Sequence, residues 1–349
     1  MEGYASIEAL HLDSARMGLP IIVEASFRRG LPAFQLSGLG EGARVRERTE
    51  RLRSAVQRSG ERFPVASLLV NLAPVDVRKS GAYLDLSMAV CILLAMRSPP
   101  PGSLLDEVVD SRTLCLGELS IGGDLRPVEQ LPALLREARR HGFRRIILPA
   151  AQLALRGLAP ELDCVGITNL RDLLHSPPPP ALAVAPLRLL GATTDTSLHR
   201  LELDHRAFRA LGAAAAGRHP ILFIGPPGTG KSTLARELWS LLPAPDAEEC
   251  LEILGNTGDD ATPAAGGEVH VRRPLRAPHH SCTMRAMVGG GQPPEAGEVT
   301  RAHGGLLILD EMAEFNRETL QALREPLEAG HITISRGSRS AMLPARFLL

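Results

Sequence analysis

Apolar positions along this chain change period from segment to segment, and the changes predict alternating strands and helices. Between Glu41 and Ser59, Val45, Leu52 and Val56 recur at near-helical spacing among charged residues, which predicts a surface helix. Ile21–Val23 and Ser67–Leu72 are short aliphatic runs and predict strands. Leu86–Met96 is apolar apart from Ser87 and predicts a buried helix. Leu131–His141 predicts another helix, and Arg145–Leu148 a strand. The pattern breaks at His175-Ser176, where four prolines follow, Pro177 to Pro180. Such a run favours an extended spacer. The stretch after it has no clean period, so a linker is placed at 176–200, between domains at 1–175 and 201–349.

Beyond the linker, His205–Ala216 predicts an alanine-rich helix. Ile221–Ile224 predicts a strand, 225–230 a loop and Ser232–Leu242 a helix. Leu306–Leu309 predicts a short strand and Glu318–Glu328 a helix. His331–Ser335 and Ala341–Leu343, joined by the turn at 336–339, predict a hairpin. No internal repeat is present. The fold class is mixed α/β in both halves.

Composition narrows the picture. The 349 residues suit two domains. Lys+Arg and Asp+Glu are both 39, so the formal charge is zero. A wholly basic nucleic-acid coat and an acidic disordered tail are thereby excluded. Hydrophobic residues at 44% support real cores, but aromatics are only 3%, so those cores must be aliphatic. Five scattered cysteines form no CxxC pair and no zinc spacing, which points to a reducing compartment. The N-terminus lacks a signal pattern, and the longest apolar stretch is too short to span a bilayer. A cytoplasmic protein with no membrane partner is expected.

Seven arginines between Arg44 and Arg62 could suggest a nucleic-acid face. Glu41, Glu47, Glu50 and Glu61 interleave with them, so a salt-bridged, solvated face is expected instead. Of all the basic residues, only Lys79 and Lys231 are lysine. Ammonium and guanidinium are not interchangeable, so each lysine raises a question of chemistry.

Lys231 answers it. Gly225, Pro226, Pro227, Gly228, Thr229, Gly230, Lys231 and Ser232 fit G-x-x-x-x-G-K-[ST], between an expected strand and an expected helix that continues with Thr233. Glycines let backbone N–H groups turn inward to cradle phosphate, and the helix N-terminus adds the positive end of its dipole. Lys231 supplies a compact charge between β- and γ-phosphates, and Ser232 offers its hydroxyl to Mg²⁺. ATP and Mg²⁺ are the expected ligands. Such a loop also needs an acid at the end of a neighbouring strand. Leu306–Leu309 followed by Asp310 and Glu311 meets that need, with Asp310 beside the metal and Glu311 polarising the attacking water.

These motifs, with Arg272–His280 (RRPLRAPHH), Val288–Gly291, Ala302–Glu311 and Leu323–Arg336, resemble the ComM/YifB-type magnesium-chelatase-like AAA+ ATPases. Gly30–Leu39, Val70–Gly81 and Gly117–Val128 resemble the same family's N-terminal domain. The resemblance implies a first domain with the fold of Lon-type protease domains and of ribosomal protein S5 domain 2. It implies an AAA+ core in the second, assembling as a homo-hexamer. The implied activity is ATP-driven remodelling or branch migration of DNA, branched or single-stranded, in recombination and natural transformation.

Three departures from the family pattern carry expectations. Where the family runs on into a polar sensor, an arginine finger and a helical lid, this sequence stops at Leu349. The core is therefore read as incomplete and a poor ATPase by itself. The alternative is a catalytically impaired remnant serving as a nucleotide-binding or scaffold module. The adenine-contact segment reads Leu203-Asp204-His205. The protease-like region has no serine–lysine dyad: Lys79 and Ser80 are adjacent, Tyr83 lies near the nucleophile's place, and Pro132 falls at that of the lysine. His270, His279, His280 and His303 have no carboxylate or cysteine to complete a metal set, so a structural role is expected. The terminal hairpin resembles the pre-sensor hairpin of minichromosome maintenance helicases. Its Arg336 and Arg339 are the candidate DNA contacts.

Overall fold

The computed structural model describes residues 3–39, 43–74, 79–96, 99–110, 112–176, 188–191, 205–258, 268–291, 295–336 and 339–349. The chain divides into two compact units, one built mostly from residues 1–187 and the other mostly from 188–349.

The first unit opens with β1 (Gly3–Leu12), β2 (Gly18–Arg28) and β3 (Ala33–Ser37), then α1 (Ala43–Arg58) and β4 (Ser67–Ala73). The strand order is β1-β2-β4-β3, with β3 parallel to β4 and the other pairs antiparallel. Alternation sets one face inward: Val23, Ala25 and Phe27 on β2 and Leu68, Val70 and Leu72 on β4 are buried. α2 (Asp85–Met96) lies in that core and is buried almost all round, as a helix apolar on every side beyond Asp85 and Ser87 requires. The unit continues through α3 (Leu104–Asp110), β5 (Thr113–Cys115), the small hairpin of β6 (Glu118–Leu119) and β7 (Leu125–Arg126), α4 (Leu131–Arg140), β8 (Arg145–Pro149) and β9 (Asp163–Ile167). β5, β8 and β9 form a parallel sheet.

A buried acid organises this unit. Asp85, fully enclosed at the start of α2, receives Arg48 Nε at 2.9 Å and Arg51 Nη2 at 2.9 Å, both from α1. Burial pushes its carboxyl up, and the two guanidiniums oppose that push. Part of the arginine-rich helix is thus committed inward, while Arg51 also pairs with Glu47 on the surface.

The second unit contains β10 (Arg188–Gly191), α5 (His205–Gly217), α6 (Lys231–Ser240), α7 (Ala247–Thr257), β11 (Glu268–Val271), β12 (Leu275–Arg276), α8 (Met284–Val288), β13 (Gly289–Gly290), β14 (Glu295–Ala296), α9 (Glu298–Arg301), β15 (Leu306–Leu307), α10 (Arg317–Ala322), α11 (Arg324–Ala329), β16 (His331–Arg336) and β17 (Arg339–Pro344). β10 falls inside the stretch read as linker and pairs in parallel with β11. Four residues are too few to display a period. The expected helix Glu318–Glu328 is split at Leu323, because Pro326 has no N–H to give the carbonyl of Ala322.

Four backbone segments lie side by side. Leu306 N donates to Pro274 O and Ile308 N to Arg276 O, each at 2.8 Å. On the other flank Leu307 N donates to Leu348 O (2.8 Å) and Leu348 N to Gly305 O (2.9 Å). Ile221 N reaches Leu349 O at 3.0 Å. Among the described residues this one backbone bond ties the segment 221–224 to the sheet, and the strand expected there does not form as a regular element. Leu222 and Ile224 are 64% and 87% exposed.

A hub of polar contacts sits beside these strands. Buried Arg273 donates to Pro243 O, Gly304 O and Glu249 Oε2, each at 2.6 Å, and its own carbonyl accepts from Trp239 Nε1 at 2.7 Å. Burial pushes the Glu249 carboxyl up, but the guanidiniums of Arg273 and Arg218 outweigh it and hold it at about 2, below its ordinary 4.5. Among the described residues no helix is long and apolar enough to cross a membrane.

Asp85→Ala leaves Arg48 and Arg51 without their buried partner, and loss of one member of such a set costs about 3–5 kcal/mol. Urea denaturation should show that loss. The depressed Glu249 carboxyl stabilises the folded state above pH 4.5, and that contribution disappears as pH falls from 4.5 toward about 2. Glu249→Gln should be less stable near neutrality and should flatten the acid limb of the stability–pH curve. An unchanged limb would refute the assignment.

Candidate nucleotide site

The candidate loop lies between the segment 221–224 and α6. Gly228 and Gly230 take φ of 79° and 81°, a left-handed backbone that side chains disfavour, and Gly230 directly precedes the helix. Thr229 Oγ1 donates to Pro226 O at 2.9 Å and closes the turn. Lys231, the first residue of α6, folds back so that Nζ donates to Gly225 O (2.9 Å) and Pro226 O (2.8 Å). The loop residues 225–230 are all exposed, including Pro227, and Thr233 faces solvent on the first turn of α6.

Asp310 meets this loop from the far end of another strand. Beyond β15 the chain leaves the sheet at its carboxyl edge, and Asp310 Oδ2 accepts a hydrogen bond from Ser232 Oγ at 2.9 Å. The two residues are 78 apart in sequence. Asp310 Oδ1 accepts from the backbone N–H of Glu311 at 3.1 Å, which fixes the carboxylate. Glu311 itself has φ 53°, a left-handed conformation uncommon for a residue with a side chain. The structure thus brings Lys231, Ser232 and Asp310 to one edge of the sheet, with Glu311 exposed beside them.

Other sequence candidates fall elsewhere. His205 opens α5, whereas Leu203 and Asp204 lie outside the described residues. Arg336 and Arg339 are register partners at the facing ends of β16 and β17; their side chains lie outside the described residues. His303 accepts from Arg346 N at Nδ1 (3.0 Å) and so gives its Nε2 proton to Glu252 (2.8 Å). His279 and His280 stack with ring centroids 4.0 Å apart. Among the described residues no group of three His, Cys, Asp or Glu side chains is placed to hold a metal ion. Lys79 donates to Leu72 O at 2.7 Å and to Pro74 O. Tyr83, pushed up to about 12 by burial, accepts the N–H of Leu12 at 2.9 Å. The Arg273 hub escaped the sequence reading, because a buried arginine bonded to carbonyls leaves no local pattern.

A parallel sheet with a glycine turn ahead of a helix, and an acid at the carboxyl edge of a second strand, is the layout of a P-loop-type α/β fold. Comparison with known proteins identifies the branch. The family model "Magnesium chelatase, subunit ChlI" matches residues 197–349, and "Subunit ChlI of Mg-chelatase" matches residues 23–152. The protein YifB of Salmonella typhimurium is 38% identical over 335 residues, covering 95% of this chain and 64% of its own length. The competence protein ComM of Haemophilus influenzae is 36% identical over 360 residues, covering 98% of this chain and 67% of its own. The chain belongs to the magnesium-chelatase-like family of YifB and ComM, and it spans about 64% of the length of YifB. A shorter match, 36% over 107 residues, joins it to the DNA repair protein RadA of Synechocystis.

Proposed function

We propose that this chain binds ATP at the loop 225–231 and belongs to an AAA+ motor that remodels branched DNA. The observation that carries the reading is the hydrogen bond between Ser232 and Asp310, which joins loop and strand-end acid into one site. Support for the DNA part comes from the relatives, one named a competence protein and another a DNA repair protein. The processes served would be natural transformation and recombination, in the cytoplasm, with the motor a homo-hexameric ring. The first unit would carry the Lon-like, ribosomal S5 domain 2-like fold.

The residues fit the chemistry. Ser232 Oγ and Asp310 Oδ2 are hard oxygen donors suited to Mg²⁺, which would neutralise phosphate charge when bound. Lys231 exchanges the carbonyls of Gly225 and Pro226 for the β- and γ-phosphate oxygens. The N–H groups of the glycine loop and of the first turn of α6 cradle the remaining oxygens. Glu311 takes a proton from water as the water oxygen bonds to the γ-phosphorus. The bond to the β–γ bridging oxygen breaks, releasing ADP and inorganic phosphate. Arg336 and Arg339, at the hairpin turn, would hold phosphates of the DNA.

A fluorescent ATP analogue titrated against the full chain with Mg²⁺ should bind. Lys231→Ala removes a charge-assisted contact worth about 1.5–3 kcal/mol, about 10–150-fold in affinity. Unchanged affinity would refute the site. Arg336→Ala combined with Arg339→Ala should weaken the electrophoretic shift of forked DNA while nucleotide affinity holds; an undiminished shift would remove the hairpin from the reading.

A further inference from the structure

Four arginines of the first unit stand outside its ion-pair pattern. Arg28 closes β2 and Arg29 follows it; Arg58 closes α1, and Arg62 lies in the loop entering β4. All four are exposed, and none has an acidic partner among the described residues. The register gathers them. Arg28 and Ala33 both pair with Ser67, so the loops at 29–32 and 59–66 leave the sheet at the same edge.

That edge is held firmly. Phe63, in the second loop, packs against Phe27 (6.3 Å between centroids) and Phe34 (5.7 Å), with Arg53 over its ring at 5.2 Å. These three phenylalanine rings pin the bases of both loops. Leu31 and Val65 nevertheless stand in water, 88% and 87% exposed. A single exposed aliphatic residue needs no explanation. Two stand on one pinned edge, beside four guanidiniums with no acidic partner among the described residues, although Glu61 lies in the second loop.

We propose that this edge grips branched DNA, with the guanidiniums on backbone phosphates and Leu31 and Val65 packed against unstacked bases at the junction. The proposal rests on the DNA-remodelling reading above. Guanidinium forks match phosphate geometry. Aliphatic side chains act as wedges between bases, at a cost that falls where stacking is already broken. A bilayer fits less well: the two side chains together hold fewer carbons than one acyl chain, which by itself binds membranes only marginally. Arg58 also suits the carbonyl end of α1, but that role needs neither Arg28, Arg29 nor the exposed pair.

The test is fluorescence anisotropy of labelled forked DNA with the full chain across a salt series, alongside ATP-analogue binding and thermal melting of each variant. Arg28, Arg29, Arg58 and Arg62 replaced together by Gln should bind at least about tenfold more weakly. Each lost phosphate contact should reduce the salt slope by about 0.7–0.9, so by about 3 in total. Leu31→Ser with Val65→Ser should lower affinity at an unchanged salt slope and erase the preference for a fork over blunt duplex. Both variants should keep the wild-type melting temperature and ATP affinity. Fork binding unaffected by the four Gln substitutions overturns the proposal. If binding is lost only on changing Arg336 and Arg339, the proposal falls and the DNA-remodelling reading stands. If the wild-type chain binds ATP but no DNA, both DNA claims fall and the nucleotide site stands. Sedimentation of wild type, but not of the variants, with phosphatidylserine vesicles, together with unchanged fork binding, assigns the edge to a membrane instead.

Discussion

Residues 305–308 are hydrogen-bonded on both flanks, to 274–276 on one side and to 348 on the other, and the candidate site depends on that ladder. A strand held on both sides has a fixed register and direction, so the residues that leave it emerge at a fixed place. Adjacent strands lie about 4.8 Å apart. Asp310 can therefore approach the first turn of α6 only if the sheet is assembled, because 78 residues separate it from Ser232. Leu306 and Leu307 are buried to secure the ladder, while Asp310 and Glu311 just beyond it are exposed. The change from apolar to acidic marks where the sheet stops and chemistry becomes accessible.

The two lysines do the same thing in different surroundings. Lys79 donates to the carbonyls of Leu72 and Pro74, and Lys231 to those of Gly225 and Pro226. Lys79 is buried, so its ammonium is committed to those two carbonyls. Lys231 lies at an open loop, so the same bonds can be exchanged for stronger ones to phosphate. The arginines divide similarly. Arg48, Arg51 and Arg273 each satisfy buried carboxylates or carbonyls with their fork of donors. Arg28, Arg29, Arg58 and Arg62 do not. By its sequence alone the arginine-rich helix is a solvated, salt-bridged face. The structure divides that face, because pairing depends on which side of α1 a residue occupies and on what α2 presents to it.

Much of the fold was legible from period alone. Leu131–Arg140 forms a helix because its apolar residues recur at helical spacing, and Asp85–Met96 because an apolar run of that length is too long for an ordinary strand. The elements missed were short or conditional. β10 has four residues, and nothing local separates it from linker. Among the described residues the strand expected at Ile221–Ile224 makes one sheet bond, to Leu349, since a parallel strand is completed only by neighbours distant in sequence. The break at Leu323 was readable in principle from Pro326, but the surrounding helical period masked it.

The phosphate-loop motif and the acidic pair after an aliphatic run are local patterns whose chemistry follows from residue type and order. Those could be written from the chain alone, as could the resemblance to the magnesium-chelatase-like family. Which acid meets which hydroxyl, which arginines are buried in ion pairs and which stand free, and where Leu31 and Val65 project were decided by tertiary contacts. Each of those depends on register between segments tens of residues apart, and register is set by the packing of whole faces against one another.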